Sequence, residues 1–227
     1  MSILVNNTTF PSLLDLFAPH SCRGCGRIGN ALCDCCKNNI ITTHTNLCPF
    51  CKTTISDCNC KKRLHFPPIT AVSWRDSILD ALVQDLKYHS VRSLARPLAE
   101  ILDQTLPHAY SHLTIVPLPT ADSHIRKRGL DHTLLIAKHL AKLRKTNISR
   151  LLVRDSSNTQ VGSSRQRRFE QAKTAYQINP LISVRQDTTY LLLDDVWTTG
   201  ASMTAAVKTL QDHQISRLAV AILALSR

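Results

Sequence analysis

Nine cysteines fall between Cys22 and Cys60, and the 167 residues that follow contain none. Eight of them form four close pairs, with Cys35 as the odd one inside the second: Cys22-Arg23-Gly24-Cys25, Cys33-Asp34-Cys35-Cys36, Cys48-Pro49-Phe50-Cys51 and Cys58-Asn59-Cys60. A CxxC turn sets two thiolates on one side of a tight knuckle, and two knuckles make the tetrahedral sulphur set that Zn²⁺ prefers. Paired in chain order, the sulphurs give two sites: Cys22, Cys25, Cys33 and Cys36, then Cys48, Cys51, Cys58 and Cys60. A crossed pairing fits the spacing as well, and Cys35 can stand in for Cys33. The last pair is CxC, so the second site has the less regular knuckle. Four sulphurs leave no open position for water, so one or two structural zinc ions are expected, holding a segment too small for its own core.

Spacing of this kind, with an odd cysteine count, reads as metal binding in a reducing compartment and not as a disulfide framework. The opening residues, MSILVNNTTFPSLLDLF, lack the basic start and long apolar stretch of a secretory signal. No apolar run approaches the roughly 20 residues that span a bilayer. A cytoplasmic globular protein is expected, and 43% hydrophobic with 19% charged residues agrees. The net charge of +12 points to a polyanionic partner or a phosphate-rich substrate. Each zinc held by four thiolates lowers that charge by about two.

The cysteine segment ends at a basic run followed by Pro67-Pro68, which divides the chain into a module over residues 1–66 and a domain over residues 67–227. Within the module, Phe10, Leu13, Leu14 and Phe17 have the spacing of a short amphipathic helix that packs the module onto the domain. Beyond Pro68 the pattern alternates. Strands are expected at Ile69–Trp74, Leu113–Val116, around Ile148–Val153, at Thr189–Asp195 and at Arg217–Leu225. Helices are expected after a cap at Asp76 or Ser77, over Leu94–Leu106, over about Asp131–Lys145 and from Thr199 onward. Residues 155–164 read as a polar loop and 165–175 as a further helical stretch. Strands alternating with helices make an α/β domain with a mostly parallel sheet covered on both faces.

The most informative run is Asp194-Asp195-Val196-Trp197-Thr198-Thr199-Gly200-Ala201-Ser202. A buried strand carries two carboxylates to the edge of the sheet, a Thr/Gly loop follows, and a helix begins. Backbone N–H groups at that helix start, with the Thr198, Thr199 and Ser202 hydroxyls, suit one phosphate. The carboxylates of Asp194 and Asp195 can accept from neighbouring hydroxyls, as a ribose offers. The run resembles the motif by which type I phosphoribosyltransferases bind phosphoribosyl pyrophosphate (PRPP). That resemblance assigns Asp194, Asp195, Val196, Thr198, Thr199, Gly200, Ala201 and Ser202 to the sugar phosphate.

Other segments extend it. Val116-Pro117-Leu118-Pro119, followed by Arg126-Lys127-Arg128-Gly129, resembles the transferase loop that meets pyrophosphate. Lys87 in Leu86-Lys87-Tyr88 can add a cation there. Arg165 and Arg168 close a polar stretch that resembles the loop folding over bound PRPP. In this order, a cysteine-rich head, LKY, VPLP, RKRG and DDVWTTGAS resemble the ComF family across essentially the whole chain. The resemblance implies a double zinc ribbon on a Rossmann-like, type I phosphoribosyltransferase fold. It also implies Mg²⁺ bound with PRPP, single-stranded DNA as a partner in natural transformation, and a translocation helicase or membrane DNA channel nearby. An active transferase with an unassigned acceptor, or a PRPP sensor without turnover, would carry the same motifs. Where the family usually reads RGFNQ, this chain has Arg128-Gly129-Leu130-Asp131-His132.

From Arg126 to Arg168 there are twelve Lys or Arg and two acids. Such a cluster suits a nucleic-acid backbone, with Arg126, Lys127, Arg128, Lys142, Arg144, Lys145 and Arg167 as candidate contacts. It equally suits a pyrophosphate site beside a solvated basic helix face. Aromatic residues for base stacking are sparse there. No residue is marked as a general base, and His124 and His132 are expected at the surface.

Overall fold

The computed structural model describes residues 20–42, 48, 50, 51, 53, 56–60, 66–74, 78–107, 113–154 and 176–226. The Phe10–Phe17 stretch, the Asp76 and Ser77 caps, and residues 155–175 with Arg165, Arg167 and Arg168 lie outside them.

Strand β9 (Leu218–Leu225) is buried at every position, the mark of a central parallel strand covered on both faces. It pairs on one side with β3 (Ile69–Trp74) and on the other with β8 (Thr189–Trp197). Next come β4 (Leu113–Pro117) and the two-residue β5 (Asn147–Ile148), giving the order β3-β9-β8-β4-β5 with every pair parallel. Side chains alternate across this sheet. Leu191 and Leu193 enter one core with α2 (Ile78–Tyr88), α3 (Ala95–Thr105) and α5 (His132–Arg144), while Tyr190 and Leu192 enter a second core with α6 (Ala201–Asp212). The domain is therefore α/β with helices on both faces of a five-stranded parallel sheet.

Connectivity sets where a ligand can lie. From β4 the chain moves to β5 at one edge, and from β8 it moves the opposite way, to β9 beside β3. Strand order thus reverses between β4 and β8, and the crevice beyond their C-terminal ends is the place where open α/β sheets bind ligands.

Three local outcomes differ from the sequence pattern. Arg126, Lys127 and Arg128 end a short helix, α4 (Asp122–Arg128), closed by Gly129 at φ 66°; the left-handed cap favours glycine. The single strand expected near Ile148–Val153 divides into β5 and β6 (Leu152–Arg154), and β6 pairs antiparallel with β7 (Tyr176–Ile178). The cysteine segment holds a hairpin, β1 (His20–Ser21) with β2 (Ile28–Gly29), and a helix α1 (Asp34–Thr42) that the spacing does not announce.

This segment is anchored on the domain. Cys22, Leu32, Cys36 and Ile40 join the core of α2 and α3. Lys37 Nζ on α1 lies 2.5 Å from Glu100 of α3, and Arg23 Nε 2.9 Å from Asp85 of α2. No helix among the described residues is long and apolar enough to cross a membrane.

Candidate sugar-phosphate site and metal centres

The Sγ atoms of Cys22, Cys25, Cys33 and Cys36 lie within 4.8 Å of one another, as do those of Cys48, Cys51 and Cys58. Zn–S bonds of about 2.3 Å place tetrahedral sulphurs about 3.8 Å apart. Cys25 and Cys33 are separated by 3.7 Å, and Cys51 and Cys58 by 3.4 Å. Both groups could therefore hold zinc. The first group takes Cys33, with Cys35 exposed beside it, and follows chain order. Cys60 is outside the second group among the described residues.

Within each group one thiol is pulled toward the thiolate and another is pushed away from it. Burial raises the Cys22 thiol, but the backbone N–H groups of Cys33, Cys25 and Gly24 outweigh it and lower Cys22 to about 6. Cys33 N–H donates to Cys22 Sγ at 3.3 Å. The Thr53 hydroxyl and N–H likewise lower Cys51 to about 6. Cys36 moves the other way, to about 12, because Cys33 and burial oppose its charge. Adjacent thiolates repel one another, and a dication among them removes that conflict. Gly24 completes the cradle, since a Cβ there would stand 2.7 Å from Cys36 Sγ.

At the reversal of strand order, β8 delivers the acidic pair. The two-residue period sends the carboxylates to opposite faces of the sheet. Asp195 enters the face of α2 and α5. Its Oδ2 lies 2.7 Å from Lys87 Nζ and 2.6 Å from His132 Nε2, with all three side chains largely buried. Neither approach has hydrogen-bond geometry at that oxygen, so charge rather than directed bonding dominates the cluster. Burial raises the Asp195 carboxyl, but His132 and Lys87 override it and hold the group well below the usual carboxylate range. Asp194 faces the other way. Burial, then the charge of Asp195, raises it well above its ordinary value, although its Oδ1 accepts the Asp195 N–H at 2.9 Å.

The loop after β8 forms a small cup of about 50 Å³, lined by Asp194, Val196 and the run from Trp197 to Met203, with Ile222 beneath. Thr198 and Thr199 are exposed at its rim. Gly200 starts α6 at φ 74°, and a Cβ there would run into the Trp197 indole. The first turn of α6, Ala201 to Met203, lines the cup, with the Ala201 N–H donating to Thr199 Oγ1 at 3.3 Å; the start of a helix is a place that suits an anion.

A second cavity of about 760 Å³ lies beyond β4, between Pro117-Leu118-Pro119, α4 and the β6–β7 ribbon. Arg126, Arg150 and Arg154 line it with Asp122 and Asp131. Arg128 does not line it and stacks over the Tyr88 ring at 4.8 Å. Lys87 faces Asp195 and is likewise absent from its walls.

The basic residues do not form one patch. Arg126–Arg128 sit just before the first turn of α5, and Lys142, Arg144 and Lys145 at its end, about 18 Å away for a helix of this length. Arg144 joins α5 to α3: its guanidinium lies 2.7 Å from Asp103 and donates to the carbonyls of Asp103, Leu106 and Pro107.

His132 corrects the expectation of a surface histidine, being 5% exposed. A signal was present. Counting from Asp131, which accepts the Leu134 N–H as the helix cap, His132 shares the stripe of Ile136 and Leu140 at i, i+4 and i+8. Arg150 and Arg154 were also missed as cavity residues, since only the fold of the β6–β7 ribbon brings them opposite Arg126.

No protein-family model and no curated protein matches the chain.

Proposed function

We propose that the domain binds PRPP with Mg²⁺ at the reversal between β4 and β8, as a ComF-like phosphoribosyltransferase-type protein. The single observation that carries this reading is the junction of β8 with α6, where an acidic pair leads directly into a phosphate-sized cup. Thr198 to Ser202 would take the 5-phosphate at the start of α6. The acidic pair would accept from the ribose hydroxyls, while Arg126, with Arg150 and Arg154 across the cavity, would face the pyrophosphate. Mg²⁺ would arrive chelated by the pyrophosphate and ribose oxygens. In a transferase these cations would stabilise charge building on departing pyrophosphate.

Titration calorimetry of the zinc-loaded chain with PRPP and Mg²⁺ tests this. Binding is expected in the native chain and lost in an Asp194→Asn/Asp195→Asn variant. No heat from a well-folded native chain would overturn the reading.

Within the same reading, a role in natural transformation places the protein in the cytoplasm with single-stranded DNA, near a translocation helicase or membrane channel. Arg126, Arg150 and Arg154 of the 760 Å³ cavity favour a phosphate backbone there. Affinity for an oligonucleotide that falls steeply with salt supports this, and salt-independent or absent binding rejects it.

A further inference from the structure

We infer that His132 is a positioning residue for Asp195, fixing that carboxylate near the end of β8 together with Lys87; this rests on the PRPP reading above, which gives the carboxylate to the ribose. Three elements converge on one oxygen. Lys87 comes from the last turn of α2, His132 from the first turn of α5, and Asp195 from β8. Nε2 of His132 and Nζ of Lys87 stand 2.6 and 2.7 Å from Asp195 Oδ2.

A histidine whose only work was to fill space would be a poor choice here. The imidazole is buried, yet its Nδ1 has no hydrogen-bond partner among the described residues. An apolar side chain would pack the same stripe beside Ile136 and Leu140 without stranding a polar atom. What the ring supplies that leucine cannot is a polar nitrogen 2.6 Å from a buried carboxylate oxygen. A carboxylate with two cationic or donor neighbours on one oxygen keeps a fixed orientation and presents the rest of the group to a ligand. Lys87 alone, a flexible point charge on four methylenes, constrains that orientation poorly. His132 adds a planar group whose position is set by α5, and α5 is set in turn by its Asp131 cap.

Full-length, zinc-loaded protein carrying His132→Leu or His132→Gln is compared with the native chain by PRPP·Mg²⁺ calorimetry, with thermal melts as a folding check. The leucine variant is expected to melt normally and to bind at least about tenfold more weakly, the scale at which outer-shell partners act. The glutamine variant, whose amide N–H can reach the same oxygen, is expected to recover most of that loss. Equal binding by the native and leucine chains overturns the inference and leaves the PRPP reading intact. A native chain that binds no PRPP overturns both. Should the leucine variant fail to fold, ¹⁵N-histidine spectra of the native protein decide: the His132 Nε2 signal is expected to move on adding PRPP·Mg²⁺, and an unmoved signal under saturating ligand overturns the inference.

Discussion

Phe50 packs edge-on against Trp197, with ring centroids 5.2 Å apart and planes at 88°. Phe50 lies in the knuckle between Cys48 and Cys51, and Trp197 supports Gly200 at the start of α6. Phe66 closes the cluster at 5.1 Å from Phe50 and 5.8 Å from Trp197. The second cysteine group is thus built against the floor of the anion cup, and order in one supports order in the other.

Removing that contact should be felt at both ends. Phe50 makes two edge-to-face pairs, each worth about 0.5–1.5 kcal/mol beyond area burial, so Phe50→Ala is expected to destabilise the protein by about 1–3 kcal/mol. Phe50→Ala and chelation of zinc should each shift Trp197 emission, and in the same direction as one another. Fluorescence of a Trp74→Phe background, which isolates Trp197, measures it. Emission unchanged by chelation would mean that the knuckle and the cup are independent.

The ligand set of the first group separates two neighbouring cysteines. Cys33 sits among the four clustered sulphurs, and Cys35 is exposed outside them. Zinc released per chain, counted by a colorimetric chelator after thiol modification, should fall by about one ion in Cys33→Ala. Cys35→Ala should leave the count unchanged. A loss in both variants would show that the sulphurs exchange roles.

Arg144 offers a test of which basic residues serve the fold. Its bonds to Asp103 and three carbonyls hold the end of α5 on the end of α3. Arg144→Ala should lower stability by about 1–3 kcal/mol, the scale of a lost charge-assisted hydrogen-bond set, in urea melts. Oligonucleotide affinity at fixed salt should not change. Arg126→Ala should do the reverse, weakening phosphate binding with little effect on the melt.

The acidic pair predicts opposite pH responses. Asp195 is held low by His132 and Lys87. Its stabilisation is therefore present above the ordinary carboxylate value of about 4 and is lost as pH falls below it. Asp194 is held high by burial and by Asp195. It favours the folded state at acid pH, and that contribution is lost as pH rises through its folded value. Melting Asp195→Asn should show a deficit at neutral pH that shrinks in acid. Asp194→Asn should melt higher than the native chain at neutral pH, with the gain vanishing near pH ~4. Parallel pH profiles for the two variants would contradict the opposed environments.

Much of this molecule was legible in the chain. CxxC spacing marked the sulphur groups because a knuckle is a local turn, and the strand–TTG–helix junction was readable because strand, loop and cap are contiguous. The all-apolar run of β9 declared a central strand for the same reason. Two interior features were local in form yet needed more. The divided strand at residues 147–154 looked continuous until its halves found partners in different sheets. The helix α4 was masked by the charge of Arg126-Lys127-Arg128, which reads as a loop although its left-handed cap at Gly129 is a helix ending.

What the tertiary structure alone decided is which distant groups share one space. Lys87, His132 and Asp195 are separated by 45 and 63 residues along the chain and meet at one oxygen. Cys33 rather than Cys35 completes the first sulphur set, and Phe50 reaches Trp197 across the boundary of the cysteine segment. Propensity and spacing act over a few residues, because backbone sterics and helix periodicity are short-ranged. Burial and charge act through space, and their partners are chosen only when the strand order reverses between β4 and β8 and brings the loop ends together.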